Sequence, residues 1–368
     1  MKLRRSTIYK LLVLLLIPLS LFLVRLYAAN PTGWEKYYSL SFNKIIIQLL
    51  SLTFGVFPFS VFELLVALFA IFFVVYFFYS IYNAIKEGKK FYIVLGTYVL
   101  NIAVIAAILF TSFQVLWGLN YKRPQFGFNQ GLVVTEYTTE ELGELYSYLL
   151  TQAAKVREDL PVDENGIMQA YGDYRDIFSR AQLGYDQLTD EFYELEGNYG
   201  QAKPFYASEL LNHTFITGMY SPFTAEPNVN VAIPDMYIPS TTCHEMAHQR
   251  GYGFEDQCNF IAYITSIAHP DSDFQYSGYL LGIAYVSNAL AASDFDLLIQ
   301  INQDVMTDEI RADLDYGNAF WDQYRGQIQE AADNVNNTFL QANGVKSGTQ
   351  SYGQVVDLLL AYYDKYFG

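Results

Sequence analysis

Three kinds of residue are scarce in this chain, and each scarcity narrows what the protein can be. Only 2 of the 368 residues are cysteine, which excludes a disulfide-rich scaffold. Histidine occurs only four times. There are 22 basic residues against 38 acidic ones, a formal net charge of −16, and nucleic acid would be repelled by such a balance. We therefore expect no nucleic-acid partner.

Apolar residues are abundant, and they are unevenly distributed along the chain. The hydrophobic fraction is 52% and the mean hydropathy is +0.12, although the chain is strongly acidic. Residues 1–117 hold ten basic and three acidic residues, whereas residues 118–368 hold 12 basic and 35 acidic ones. A basic apolar region followed by an acidic region is typical of a membrane anchor (1–117) joined to a globular domain (118–368).

Three apolar stretches in the first region are long enough to cross a bilayer, for which ~20 helical residues span ~30 Å. They are Leu11–Ala29, Val61–Ile81 and Tyr92–Leu116. A fourth stretch, Ile45–Phe57, has only 13 residues and is predicted to be interfacial or re-entrant. The expected fold class is therefore a mainly α membrane protein with three N-terminal transmembrane helices.

The distribution of basic residues predicts the orientation. Short segments rich in Lys and Arg stay in the cytoplasm. The residues concerned are Lys2, Arg4, Arg5, Lys10, Lys86, Lys89 and Lys90. We therefore expect a multi-pass protein of the cell membrane with a cytoplasmic N-terminus and an extracytoplasmic domain. A signal peptide cleaved after Ala28-Ala29 is the alternative for the first stretch, and it leaves the later topology unchanged.

The motif that carries chemistry is His244-Glu245-Met246-Ala247-His248. Residues four apart lie on one face of a helix, so His244 and His248 can bind one metal ion together. Glu245 is then adjacent to the water that the metal activates and is expected to act as general base. Because two of only four histidines stand at this spacing, a zinc site is favoured over a chance match.

The residues after the motif supply a third ligand. Gly251 and Gly253 are expected to end the helix through positive φ and to turn the chain back. Glu255 is then the predicted third ligand, with Asp256 as its rival. Asn259, one turn after Glu255, is predicted to hydrogen-bond a ligand histidine.

Both cysteines, Cys243 and Cys258, flank the motif. We expect them to be small packed residues, with a disulfide between them as the alternative.

The remaining elements are predicted from periodicity and capping signals. Thr138 and Glu141 form a capping box before a helix with apolar residues at 142, 145, 149 and 153. Further helices are expected at 276–292, 293–305, 310–334 and 352–367. Alternation at 229, 231 and 233 predicts a short strand that Pro234 ends, beside which an extended peptide could bind. Three residues could donate to an oxyanion: Tyr220, His213 and Tyr252.

The sequence resembles a bacterial membrane-protein family of unassigned function, the domain-of-unknown-function family numbered 3810. The features that carry the resemblance are the early spans, Gly218–Asn230 with its Ser-Pro-Phe-Thr-x-Glu core, His244–Gly251, Glu255–Asn259 and Ser351-Tyr352-Gly353. That family is similar to zincin-type metallopeptidases through its His-Glu-x-x-His segment. Glu255-x-x-Cys258-Asn259 also resembles the Glu-x-x-Ala-Asp segment of membrane-bound zinc peptidases, although Cys and Asn replace Ala and Asp here. The resemblance implies a zincin-like, mostly α domain with a small sheet.

These features favour a membrane-anchored zinc hydrolase that acts on a peptide or protein. Two alternatives remain. One is a non-catalytic zincin-like binding module at the cell envelope. The other is the regulatory domain of a membrane transporter, in which Glu63 and Asn101 inside the spans are the functional polar groups.

Overall fold

The computed structural model describes residues 5–86, 88, 90–128, 130–132, 134, 137–343 and 352–367. Lys2, Arg4, Lys89 and Ser351, which the sequence analysis singled out, lie outside the described residues. The described chain is mostly helical with one small three-stranded sheet, as expected.

The described residues of the N-terminal part form six α-helices. They are α1 (Arg5–Leu14), α2 (Leu16–Ala29), α3 (Pro31–Trp34), α4 (Lys44–Gly55), α5 (Val61–Lys86) and α6 (Phe91–Leu116). Three helical segments are long and apolar enough to cross a membrane: Arg5–Ala29, Val61–Lys86 and Phe91–Leu116. Few or none of their residues are buried, and a helix that is apolar all round is suited to lipid. The prediction of three such helices is confirmed. The first two are six and five residues longer than their apolar stretches, and the third is one residue longer.

The segment between the first two candidate spans folds against the rest of the chain. A π-helical stretch, Glu35–Asn43, leads into α4, which covers most of the predicted interfacial segment. Tyr27 of α2 bonds Ser39, and Ser39 donates to Asn120, both at 2.7 Å. The side chain of Asn43 donates to the carbonyl of Leu116 at the end of α6. These bonds join the ends of α2 and α6 through buried polar side chains.

The C-terminal part contains eleven further α-helices in its described residues. They are α7 (Thr139–Arg157), α8 (Tyr174–Arg180), α9 (Gln182–Asp186), α10 (Ser208–Asn212), α11 (Ile238–Gln249), α12 (Glu255–Ile267), α13 (Ser272–Ser293), α14 (Phe295–Asp304), α15 (Asp308–Asp322), α16 (Gln327–Ala342) and α17 (Tyr352–Tyr366). Short 3-10 turns lie at Gly118–Lys122, Tyr193–Leu195 and Asp235–Tyr237.

The core of this part surrounds α13, which packs against α7, α11, α12, α14 and α17. Helix α7 begins with the predicted capping box, in which the Thr138 hydroxyl accepts from the Glu141 amide and the Glu141 carboxylate accepts from the Thr138 amide. Its apolar face is buried, with Leu145, Leu149 and Ala153 at most 1% exposed. The amphipathic pattern therefore marks the core-facing side correctly.

The prediction of one helix over 310–334 is wrong. The chain forms α15 and α16 instead, separated by residues 323–326. Gly326 immediately precedes α16, and glycine is a poor helix former. The apolar periodicity continues across this break and therefore does not predict it. The helices at 276–292, 293–305 and 352–367 are present with small shifts in their ends.

The sheet has the strand order β1-β3-β2, with β1 (Lys203–Pro204), β2 (Gly218–Ser221) and β3 (Glu226–Val229). Strand β3 runs parallel to β1 and antiparallel to β2, so β2 is an edge strand. The predicted strand at 229–233 is misplaced, because β3 ends at Val229. Asn230 then turns the chain, accepting from the Ala232 amide and donating to Asn212.

Candidate metal centre

The motif residues lie on α11, a helix that is buried along most of its length between α12, α13 and the sheet. The rings of His244 and His248 are neighbours, with centroids 4.8 Å apart. The helix ends at Gln249, and Gly251 turns the chain as predicted, with φ +84° and its amide bonded to the His248 carbonyl. Gly253 has no positive φ, contrary to expectation. A side chain at position 253 would instead meet the ring of Tyr121 at 3.0 Å.

This turn brings Glu255, the first residue of α12, back to the two histidines. Its carboxylate oxygens lie 3.2 Å from His244 Nε2 and 3.7 Å from His248 Nε2. All three candidate ligand atoms lie within 4.8 Å of one another. Ligands 2.0–2.1 Å from a tetrahedral zinc ion are roughly 3.3 Å apart. The shortest separation is close to this value, and the three side chains could together hold a metal ion.

The other ring nitrogens are held by the protein. His244 Nδ1 lies 2.8 Å from Asn259 Oδ1, as predicted for Asn259, and His248 Nδ1 lies 2.7 Å from the Tyr252 carbonyl. Both partners are acceptors, so each Nδ1 donates its hydrogen. In both rings Nδ1 is therefore committed to the protein, and Nε2 is the atom that faces Glu255.

Glu255 supplies negative charge to this cluster. Although burial opposes ionisation, the neighbouring imidazoles of His248 and His244 hold the pKa of the Glu255 carboxyl well below its usual range. The site therefore combines two imidazoles with one carboxylate, the donor set found in one class of catalytic zinc centres.

Glu245 lies beside this cluster and is 3% exposed. Its Oε2 is buried without a hydrogen-bond partner, and burial raises the pKa of the carboxyl to about 7. The opposite wall is Gly218 of β2, where an added Cβ would lie 2.4 Å from Glu245 Oε1. Only glycine at position 218 leaves room for this carboxylate, which is poised to exchange a proton near neutral pH.

Tyr220 lies on the same face of β2 as Gly218, because residues two apart in a strand point the same way. Its hydroxyl is buried without a partner, and its ring packs on Trp117 with centroids 4.9 Å apart. Trp117 also contacts the ring of His248, at 5.7 Å. Burial raises the pKa of the Tyr220 phenol well above its usual value, so the group keeps its proton and remains a donor.

The two rival oxyanion donors are placed differently. The Tyr252 hydroxyl accepts from Arg123, whose guanidinium lies 4.1 Å over the Tyr252 ring. His213 is exposed and contacts the ring of Tyr324. Of the three candidates, Tyr220 therefore has the unpartnered hydroxyl.

Asp256 and the cysteines are also buried near the site. Asp256 does not belong to the ligand group, and burial raises the pKa of its carboxyl to about 6. Cys243 and Cys258 are free, so the alternative of a disulfide is wrong. Cys258 packs against His248, with its Sγ 3.2 Å from Nδ1.

Sequence analysis missed Arg123, which connects the N-terminal part to the turn after α11. Its guanidinium is paired with Glu35 and donates to the carbonyls of Arg250 and Gly251. The same turn presents the Tyr252 carbonyl to His248. No local pattern around Arg123 marks this role, because all its partners are distant in sequence.

No curated protein and no solved structure matches the chain. A family described as a protein of unknown function (DUF3810) matches residues 38–360. The matched region includes the second and third candidate spans and the residues of the candidate metal centre. The chain therefore belongs to the DUF3810 family of proteins of unknown function.

Proposed function

We propose that this protein is a membrane-anchored, zinc-dependent hydrolase, specifically a metallopeptidase. The observation that carries the proposal is the convergence of His244, His248 and Glu255 beside a buried, unpaired carboxylate on Glu245. A merely structural cluster would leave no reason for Glu245 to lie buried without a partner.

Zinc suits the donor set better than a hard cation, because two imidazoles and one carboxylate favour it over magnesium or calcium. When bound, the ion would polarise a carbonyl and activate a water molecule at neutral pH. Glu245 would accept the proton of that water and pass it to the leaving amine. The net reaction adds water across the C–N bond of a peptide, releasing a carboxylate and an amine.

The edge strand supports a peptide substrate. In the described part of the chain, strand β2 pairs with β3 alone, and an extended chain could pair with its other edge. Gly218 of β2 lies against Glu245, so a chain added there would pass the proposed general base. The unpartnered Tyr220 hydroxyl would stabilise negative charge that develops on the substrate carbonyl.

The contacts of the candidate spans support an extracytoplasmic site. The start of α5 bonds the C-terminal part, because the amides of Val61 and Phe62 donate to Glu226. Trp117, the residue after α6, contacts the ring of His248. The end of α2 reaches the same region through Ser39, which donates to Asn120. The described basic residues Arg5, Lys10, Lys86 and Lys90 lie at the opposite ends of these helices. By the positive-inside rule, the metal cluster would then lie outside the cytoplasm.

The transporter alternative loses support. Glu63 lies in the first turn of α5, where it accepts from the amides of Tyr206 and Ala207 at 2.7 and 2.9 Å. Asn101 accepts from Lys10 at 2.6 Å and bonds Tyr76, so it joins three helices. Both polar groups of the apolar helices therefore have structural partners.

Glu245→Gln tests the proposal. The variant should retain zinc in the purified full-length protein and lose hydrolysis of a mixed peptide pool by about 10²–10⁴-fold, because the amide cannot accept a proton. Glu144→Gln, on the exposed side of α7, is the control and should behave as wild type. Hydrolysis within a few-fold of wild type in zinc-loaded Glu245→Gln would refute the mechanism. If wild type and variant bind zinc equally and the wild type hydrolyses no peptide, the non-catalytic binding module would be favoured.

A further inference from the structure

The candidate metal centre lies next to the end of a candidate span. Trp117 directly follows the last residue of α6, and its indole contacts the ring of His248. The same indole packs on Tyr220. One side chain therefore separates a proposed metal ligand from the point where α6 ends.

A second route leads from the centre to the start of α5. The Glu226 carboxylate accepts from the amides of Val61 and Phe62, the first residues of that helix, at 3.2 and 2.9 Å. Glu226 pairs with Ser221 across the β2–β3 hairpin. Strand β2 then runs from Ser221 to Gly218, three residues that span roughly 10 Å. The carboxylate of Glu245 is therefore about 10 Å along β2 from the start of the span.

The surface around these two points exposes apolar side chains. On α4 and at Val56, the residue that follows it, an apolar stripe is exposed: Ile45, Leu49, Leu52 and Val56 are 43–75% exposed. The opposite side of α4 packs inward, with Ile47 in the cluster that contains Trp117 and Tyr220. A helix with one face on the protein and one apolar face outward is typical of a helix at the bilayer surface.

Two more exposed residues lie where α5 begins. Tyr206 is 98% exposed and Leu210 is 69% exposed, although both are large and apolar or aromatic. Glu63 holds this segment at the first turn of α5 through the amides of Tyr206 and Ala207. We name the six residues the rim: Ile45, Leu49, Leu52, Val56, Tyr206 and Leu210. The rim adjoins the candidate spans, so the surface that it contacts is the outer surface of the bilayer.

We propose that the substrate is itself inserted in the membrane, and that the site cleaves its extracytoplasmic segment within a few residues of the bilayer. This inference rests on the proposed peptidase activity. A polypeptide that crosses the bilayer beside α5 would emerge level with Ser221 and Glu226. Extended along β2, it would reach Gly218 and Glu245 about three residues later.

The reaction itself is ordinary hydrolysis, in which water adds across one peptide bond and yields a carboxylate and an amine. The faster cleavage that we expect for a membrane-inserted substrate comes from its confinement to the bilayer that holds the enzyme. A substrate held in the same bilayer has a high effective concentration at the site, whereas a soluble peptide of the same sequence does not. The rim positions the domain so that this segment and β2 meet.

The test uses full-length protein in lipid vesicles and two matched libraries. In the first, a randomised segment of about 12 residues, reaching roughly 40 Å when extended, follows a single transmembrane helix. In the second, the same segments are soluble peptides without the helix. Cleavage positions are read by mass spectrometry, with Glu245→Gln as the background for both.

We expect the anchored library to be cleaved at least about tenfold faster, with cuts concentrated within roughly six residues of the helix. Equal rates for both libraries, or cuts spread evenly along the segment, would overturn the inference and leave the peptidase proposal standing. Cleavage of neither library by zinc-loaded protein would overturn the peptidase proposal and this inference together.

A second measurement does not depend on activity. Tyr206→Cys and Leu210→Cys, labelled with an environment-sensitive dye, should show a blue shift when the protein moves from a short-chain detergent into vesicles. Cys243 and Cys258 are buried, so labelling is directed to the new thiol. Val162→Cys is the control, because this exposed residue pairs with Met168 inside the C-terminal part. No shift at Tyr206 and Leu210 beyond that at Val162 would contradict the placement of the rim.

Discussion

Two clusters in the C-terminal part combine histidine with carboxylates, and they differ in what is left unpaired. In the first, His269 is fully buried and stacks on Phe274 at 3.9 Å. Its Nε2 donates to the Arg180 carbonyl and its Nδ1 accepts from the Asp271 amide. Arg180 pairs with Asp271 and Asp273. Every ring nitrogen is used by the protein, and burial lowers the pKa of His269, which stays neutral.

In the second cluster, each imidazole uses only one nitrogen internally. His244 and His248 donate through Nδ1 and direct Nε2 toward Glu255. Among the residues that the structure describes, no Lys or Arg pairs with Glu255 as Arg180 pairs with Asp271 and Asp273. The comparison teaches that proximity of histidine and carboxylate does not identify a metal centre. The second cluster is the candidate metal site because Nε2 of both rings faces the Glu255 carboxylate, so three donor groups converge at one point.

The largest expected effect is loss of metal from the second cluster. Glu255→Ala should weaken zinc binding by more than about 1,000-fold, since the binding free energy of a protein zinc site, about 10–16 kcal/mol, is shared among few ligands. Asp256→Ala is the control and should leave the affinity within a few-fold of wild type. Competition with a chromophoric chelator measures both. Retained affinity in Glu255→Ala with loss in Asp256→Ala would assign the third ligand to Asp256.

The next effect concerns stability in the first cluster. Arg180→Met leaves the fully buried Asp273 without its cation and should cost about 3 kcal/mol of unfolding free energy, a fall in the thermal midpoint of roughly 6–12 °C. Its zinc content should not change. Arg175→Met, which removes an exposed pair with Asp173, should leave the midpoint unchanged. If Arg180→Met lost zinc but kept the stability of the wild type, the first cluster would be the metal site and the second the structural one.

The smallest effect tests how the imidazoles are oriented. Asn259→Ala removes the acceptor that fixes His244 and should lower zinc affinity about 10–100-fold, the range for such supporting partners. The loss should be smaller than in Glu255→Ala. Asn259→Asp, which keeps an acceptor at the same position, should restore most of the affinity. No loss in Asn259→Ala would mean that His244 is oriented by packing alone.

The residues that sequence analysis identified are those linked by local geometry. His244, Glu245 and His248 follow from helical spacing, and Gly251 from the need for positive φ after α11. Glu255 and Asn259 follow from the short turn and the next helical repeat. Within such a span of residues, backbone geometry limits where side chains can lie.

The features that sequence analysis missed depend on contacts between distant segments. Gly218 matters only because β2 passes beside Glu245, and Arg123 only because Glu35 and the turn at 250–252 meet there. The strand was misplaced because Asn230 uses its side chain to turn the chain at a position where alternation continues. Glu63 was read as a residue inside a span, whereas its partners are the amides of Tyr206 and Ala207. Periodicity cannot register any of these pairings.

The metal content of His248→Ala and His269→Ala, measured by mass spectrometry on purified full-length protein, tests the account most directly. We expect about one zinc per chain in the wild type and almost none in His248→Ala. The folded fraction of His269→Ala should also contain about one zinc per chain. His269→Ala should be the less stable of the two, since it loses a buried, stacked ring and leaves the Asp271 amide unpaired. Full zinc content in His248→Ala, or loss of zinc from folded His269→Ala, would contradict the assignment of the metal centre.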